Sequence, residues 1–169
     1  MTLITEEYRA QNAALHAGGR FGGSGHKHAD RISGFAASLG AKTVLDYGCG
    51  QGTLKPALPG YVVTEYDPAI HEKAAMPLPA DIVVANDVLE HVEPECIEDV
   101  LVHLQSLARK GMYLAIALRL DSKKTLPDGR NPHVLVRSEN WWKAKLALML
   151  PGNYSIASAK ELIVWGKVC

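Results

Sequence analysis

The sequence carries no net charge: its 18 Lys and Arg residues are matched by 18 Asp and Glu over 169 residues. That balance argues against the broad basic face with which a protein grips long nucleic acid. There is no run of 18 apolar residues, so no transmembrane helix is expected. The stretch Met1–Ala10 holds Glu6, Glu7 and Arg9 without a long apolar run, and does not read as a signal peptide. Cysteines are few. Cys49, Cys96 and Cys169 are far apart, odd in number and form no C-x-x-C pair. Neither a disulfide frame nor a cysteine zinc site is indicated, and a reducing, cytoplasmic setting is expected. The chain has no internal repeat and no low-complexity tail. It also lacks the nucleotide-binding patterns G-x-x-x-x-G-K-[ST] and G-x-G-x-x-G.

What remains is ordinary globular chain. With 47% apolar residues, 169 residues suffice for one compact domain and not for two. Helices are expected near residues 5–16 and 26–39, the second with Ile32, Phe35, Ala36 and Leu39 at helical spacing. Between them lies a flexible, glycine-rich segment. Strands are expected at 42–47, 61–66, 81–85 and 112–118. A short helix should follow near 53–57 and a longer one at 94–109, broken by Gly111. Residues 119–137 read as a polar functional loop. Ser138 should cap a helix to about Leu150, and two final strands are expected at 154–159 and 161–168. Alternating strands and helices predict an α/β three-layer sandwich around a twisted, mostly parallel sheet, which binds ligands at the carboxyl ends of its strands. Within the one domain, residues 1–40 read as a lid and helix region. Residues 41–118 read as a ligand-binding half, and 119–169 as a loop with the last helix and strands.

Two features fall at those strand ends. The turn Gly48-Cys-Gly50-Gln-Gly52 follows the first strand, which ends in Asp46 and Tyr47, and opens a helix. Glycines there let the backbone turn tightly and approach a ligand, and the helix start offers free N–H groups. Asp67, followed by Pro68, ends the next strand, where a carboxylate can accept the hydroxyls of a ribose.

Val-Leu-Asp46-Tyr-Gly48-Cys-Gly50-Gln-Gly52 resembles the first motif of the class I S-adenosylmethionine-dependent methyltransferases. Tyr66-Asp67-Pro68 resembles their ribose acid. Asp81-Ile-Val-Val-Ala-Asn-Asp87-Val-Leu-Glu90-His91-Val resembles their fourth-strand motif. The resemblance covers residues 40–120. The run Leu126-Pro-Asp-Gly-Arg-Asn-Pro-His133, with Trp141 and Trp142, is similar to a small bacterial and phage subgroup of the same superfamily. The resemblance implies a Rossmann-like fold and S-adenosylmethionine as cofactor. Gly48 and Gly50 would lie against its methionine part, with Asp46 near its amino group and Asp67 on its ribose. The backbone at Asn86, Asp87 and Val88 would close over the methionine end. One departure stands out. Residues 68–80 are too few for the further strand and helix usual between the ribose acid and the fourth strand. An edge strand should be missing, leaving the adenine side to Ala69, Ile70 and 76–78.

Asp87, Glu90 and His91 would come together on a helical turn at the mouth of this site. A neutral histidine there can take a proton from a substrate hydroxyl or amine. Alternatively, these residues with His133 can hold a divalent metal, Mn²⁺, Co²⁺, Ni²⁺ or Zn²⁺ rather than Mg²⁺. The spacing resembles the E-x-x-E-H element of small-RNA 2′-O-methyltransferases and ubiquinone-pathway O-methyltransferases, where it binds metal. The third alternative is that Glu90 merely braces the turn. Arg119, Lys123, Lys124 and Arg130 either bind a substrate anion or form a solvated loop. The cluster 23–28 is either a lid or a plain loop. Of Trp141 and Trp142, one ring should pack in the core while the other faces the substrate mouth, or both pack.

The expected activity is methyl transfer to oxygen or nitrogen of a small, sugar- or nucleotide-like molecule, with long nucleic acid disfavoured and a homodimer possible. The alternatives are a protein that binds S-adenosylmethionine without methylating, and a nucleic-acid methyltransferase.

Overall fold

Alternation of side chains decides how the strands are covered. In β1 (Thr43–Tyr47), Val44 packs on one face of the sheet and Leu45 on the other. In β3 (Ala80–Asn86), Ile82 and Val84 join Val44, while Val83 and Ala85 join Leu45. β4 (Ala108–Ala117) divides Tyr113 and Ala115 from Met112 and Leu114 in the same way. Strands apolar on both faces must be covered twice. One layer is α2 (Ala29–Ser38) and the short α3 (Leu54–Ala57), through Ile32, Ala36 and Leu54. The other is α4 (Ile97–Leu107) and α5 (Glu139–Ala147), through Leu101, Leu104, Trp142 and Leu146.

The computed structural model describes residues 1–19, 21–151, 153–158 and 160–168. Its six-stranded sheet runs β2-β1-β3-β4-β6-β5, with β2 at Val62–Tyr66, β5 at Tyr154–Ala157 and β6 at Glu161–Lys167. β2, β1, β3 and β4 are mutually parallel, and β6 is antiparallel to both β4 and β5. The mostly parallel three-layer sandwich expected from the sequence is present. So is its shortening: β2 ends the sheet, and residues between it and β3 form only a 3₁₀ turn at His71–Lys73. Ala159 and Cys169 lie outside the described residues. Among the described residues no helix is long and apolar enough to cross a membrane.

One boundary differs from expectation. α4 stops at Leu107 and β4 begins at Ala108, so Gly111 lies inside the strand and breaks nothing. A Cβ at Gly111 would stand 2.7 Å from Phe35 Cζ and 2.8 Å from Gly166 O. Glycine serves close packing of α2 and β6 there.

α1 (Glu6–Ala17) is capped by Thr5, whose side chain accepts from Tyr8 N. Thr5 also donates through N and Oγ1 to Glu93, just past the β3 turn. Tyr8 Oη donates to Pro132 O. α1 is thereby tied to both segments that carry the candidate histidines.

Candidate active site

β2 and β3 leave β1 on opposite sides, so a crevice opens at the carboxyl end of β1, the switch point of such sheets. A cavity of about 440 Å³ occupies it. Asp46, Tyr47, Gly48, Gly50, Asp67, Pro68, Asn86, Asp87 and Val88 all line this cavity, as do His91 and His133. Gly52 does not. It sits behind the turn, where a Cβ would run into Glu65 Oε1 at 1.9 Å.

The glycine turn is shaped by its neighbours. Gly48 has φ +71°, and a Cβ there would meet Val88 Cγ2 at 2.6 Å. Gly50 has φ +52° and donates its N–H to Asp67 Oδ2 at 3.0 Å. The other Asp67 oxygen accepts from Ala69 N. Asp46 is buried, and its Oδ2 has no partner. Burial, with Glu65 nearby, pushes its carboxyl up to about 7. A buried carboxylate without a donor is costly, so the site is built to receive one. Cys49 is buried beside it, and its thiol is pushed up to about 12, so it is no nucleophile.

The segment after β3 divides the expected acid and histidine cluster. Asp87 takes φ 53° and accepts from Ser24 Oγ at 2.5 Å. It faces the N-terminal segment and leaves the other three. Glu90, His91 and His133 do converge: one potential ligand atom from each lies within 4.8 Å of the others. His91 Nδ1 lies 2.9 Å from Pro132 O, and His133 Nδ1 lies 2.6 Å from Arg119 O. A carbonyl can only accept, so each Nδ1 carries a proton and each Nε2 is left to the cavity. Desolvation holds the His91 imidazole down to about 4, with His133 adding to the effect. Glu90 is fully buried. Its Oε1 accepts from Ala117 N and its Oε2 is unpartnered. Burial, with Asp87 next, raises its carboxyl well above the ordinary range. Glu90 therefore braces the end of β4 and also offers a free oxygen. Two imidazoles anchored through Nδ1 and one carboxyl group form a set that fits a divalent transition metal.

Several residues here escaped sequence reasoning. His16, at the end of α1, places Nε2 3.7 Å from Asp67 Oδ2, and its buried Nδ1 has no partner. Phe21 packs edge-on against both His16 and His91. Gly22 O accepts from Gln51 N, and Gln51 Nε2 donates to Gly19 O and Phe21 O. Asn86 Nδ2 donates to Gly25 O. The N-terminal segment thus lies against the glycine turn. Its only local signal was the run of glycines between two helices.

On the adenine side, Ala69 lines the cavity, but Ile70 does not, and Met76 and Leu78 stand 64% and 82% exposed away from it. Lys73 fills the space instead, bonded to Gly50 O and paired with Glu65. Trp142 is fully buried in the core. Trp141 lies on its edge, beside Arg137 and Lys145, and faces no substrate mouth.

Parallel sheet, glycine turn, two strand-end acids and a switch-point cavity define the Rossmann-like fold of class I methyltransferases. The methyltransferase domain family matches residues 22–166, and the chain belongs to that family. By family and fold it is an S-adenosylmethionine-dependent methyltransferase. 1,6-Didemethyltoxoflavin N1-methyltransferase from Burkholderia thailandensis, solved with 1,6-didemethyltoxoflavin and S-adenosylhomocysteine, has TM-score 0.69 and 18% identity, covering 99% of this chain and 92% of that one. DhpI in its SAH complex has TM-score 0.63 and 18% identity, over 94% and 92% of the two chains. Magnesium protoporphyrin IX methyltransferase from Synechocystis, with SAH bound, has TM-score 0.58 and 17% identity, over 85% and 83%. At such identities the likeness is one of fold. No curated protein matches the sequence.

Proposed function

We propose that this chain methylates an oxygen or nitrogen of a small, sugar- or nucleotide-like molecule. The observation that carries the reading is the Asp46 Oδ2, buried in the cavity wall without a partner. It is the counter-ion that the ammonium of an amino-acid cofactor requires. Asp67, beside the same turn, faces the ribose, and Gly48 and Gly50 allow close approach. S-adenosylmethionine supplies a methyl carbon on a sulfonium, which an acceptor lone pair attacks as the carbon–sulfur bond breaks. The chain's task is alignment and removal of one proton. His91 and His133 turn Nε2 to the cavity they line, and at neutral pH His91 is free to accept that proton. Glu90 holds the pair's surroundings in place through Ala117 N. The bound substrate of the toxoflavin-pathway neighbour, which its own structure contains, supports a small acceptor.

A second reading has Glu90, His91 and His133 holding a divalent metal that acidifies an acceptor hydroxyl. The convergence of their donor atoms within 4.8 Å favours it. Calorimetry with S-adenosylmethionine, followed by methyl release over sugar, nucleotide and phenol pools, tests the function. Binding without turnover on any pool would favour a sequestering or regulatory protein. Absence of binding would overturn both readings.

A further inference from the structure

The loop between β4 and α5 holds five cations, of which Arg137 lies over the Trp141 ring. Arg130 is neutralised: it pairs with Asp128 at 2.6 Å and reaches Glu7 at 3.8 Å. It does not line the cavity. Arg119, Lys123 and Lys124 do line it, and none of them is in an ion pair among the described residues.

Asp121, on the same loop, does not pair with them. Its Oδ1 accepts from the backbone N–H of Lys123 at 2.6 Å and of Lys124 at 3.0 Å. That oxygen holds the turn, and among the described residues neither ammonium group forms an ion pair with it. The other acids of the cavity are likewise engaged elsewhere: Asp67 with the glycine turn, Asp87 with Ser24, and Glu93 with Thr5. Asp46 and Asp67 thus stand at the glycine turn, and Arg119, Lys123 and Lys124 on the loop.

The loop is also fixed relative to the histidines. Asn131 Oδ1 accepts from both Asp121 N and His133 N, while its Nδ2 donates to Asp121 O. His133 Nδ1 closes the ring by donating to Arg119 O. The bonds that orient the His133 imidazole are the same bonds that place Arg119 and the two lysines. An acceptor whose reacting atom lies at His91 and His133 has its far end against these cations.

We propose that Arg119, Lys123 and Lys124 form an anion subsite, and that the methyl acceptor carries a phosphate or carboxylate. Three cations without carboxylate partners bind such a group by charge-assisted hydrogen bonds, the guanidinium in two-pronged fashion. The proposal rests on the methyltransferase reading and narrows its substrate class.

The test uses the full chain saturated with S-adenosylhomocysteine, titrated in a calorimeter with matched probes: ribose 5-phosphate against ribose, gluconate against glucose, and uridine monophosphate against uridine. The expected result is that at least one anionic member binds at least about tenfold (about 1.4 kcal/mol) more tightly than its neutral partner. Raising the salt from about 20 mM to about 300 mM should weaken it. The pair Lys123→Gln and Lys124→Gln should lose about tenfold in that affinity, with S-adenosylhomocysteine bound as in the wild type. Arg130→Gln should change nothing. Equal binding of the neutral and anionic members overturns the subsite, as does binding of no anionic member. So does an unchanged double variant, or an equal loss in Arg130→Gln. Failure of S-adenosylhomocysteine to bind the wild type would instead overturn the underlying reading.

Discussion

The rings of His91 and His133 meet edge to face, with centroids 4.6 Å apart, and each turns its Nδ1–H away to a backbone carbonyl. The Nε2 atoms of both rings are thus left to the cavity that the two residues line. Replacing either histidine by alanine should lower turnover by about a hundredfold, the ordinary worth of a positioned proton acceptor. S-adenosylhomocysteine affinity should stay within about twofold, since neither ring is assigned to the cofactor. Unaltered turnover in His91→Ala would reject the assignment.

Asp46 makes cofactor affinity depend on pH. Its carboxyl rises from the ordinary 3.8 to about 7 in the fold. The neutral acid is the form that burial favours. Its contribution to stability is whole below pH 3.8 and declines as the pH rises toward about 7. An ammonium beside it prefers the ionised form, so S-adenosylhomocysteine should bind more tightly as the pH rises to about 7 and then level off. Asp46→Asn should weaken binding and flatten this dependence in calorimetry. A retained slope would assign it to another group.

Gly50→Ala separates the turn from the rest of the fold. The new Cβ would stand 2.6 Å from Gly22 O at a φ of +52°. The N-terminal segment must then lift from the turn. Cofactor affinity should fall by at least about tenfold while the far-ultraviolet circular dichroism is retained. Wild-type affinity would show that the segment does not help close the site.

The two tryptophans should behave differently. Trp142 is fully buried, and Trp142→Ala should cost about 3–5 kcal/mol in urea unfolding. Trp141 lies at the core's edge beside Arg137 and Lys145. Trp141→Ala should cost about 1 kcal/mol and leave turnover unchanged. A loss of acceptor affinity there would restore a place for this ring at the substrate mouth.

Manganese or zinc added to the metal-free chain should raise its melting temperature if the triad holds a cation. At a hundred times the dissociation constant the gain is about 2.7 kcal/mol. Glu90→Gln should remove the shift by deleting the one charged donor. No shift with either ion would leave His91 and His133 as proton acceptors alone.

The shortened sheet was legible because it is a matter of counting: 13 residues, 68–80, cannot hold a strand and a crossover helix. That Asp46, Gly48, Gly50 and Asp67 share one crevice was legible because their spacing is local to β1 and β2. The positive φ at Asp87 was not, for it turns on a contact with Ser24, 63 residues away. The expected helical turn forms as a 3₁₀ turn at Leu89–His91, which starts after Asp87 and leaves it outside. The ending of α4 was misread because Gly111 looked like punctuation, whereas Phe35 and Gly166 demand it from across the fold. His16 carried no motif at all; only the docking of α1 brings it to Asp67.

Lys73 ties the glycine turn to β2, with one long side chain joining Gly50 and Glu65. β2 is an edge of the sheet, and Met76 and Leu78, further along the same connection to β3, are exposed. Extra chain spliced in just after Ala74 would therefore meet open space and an unused hydrogen-bonding edge, while leaving the lysine staple upstream intact. The stretch is a ready graft point, at which the molecule could be lengthened into a seven-stranded sheet without disturbing the chemistry at the opposite end of the crevice.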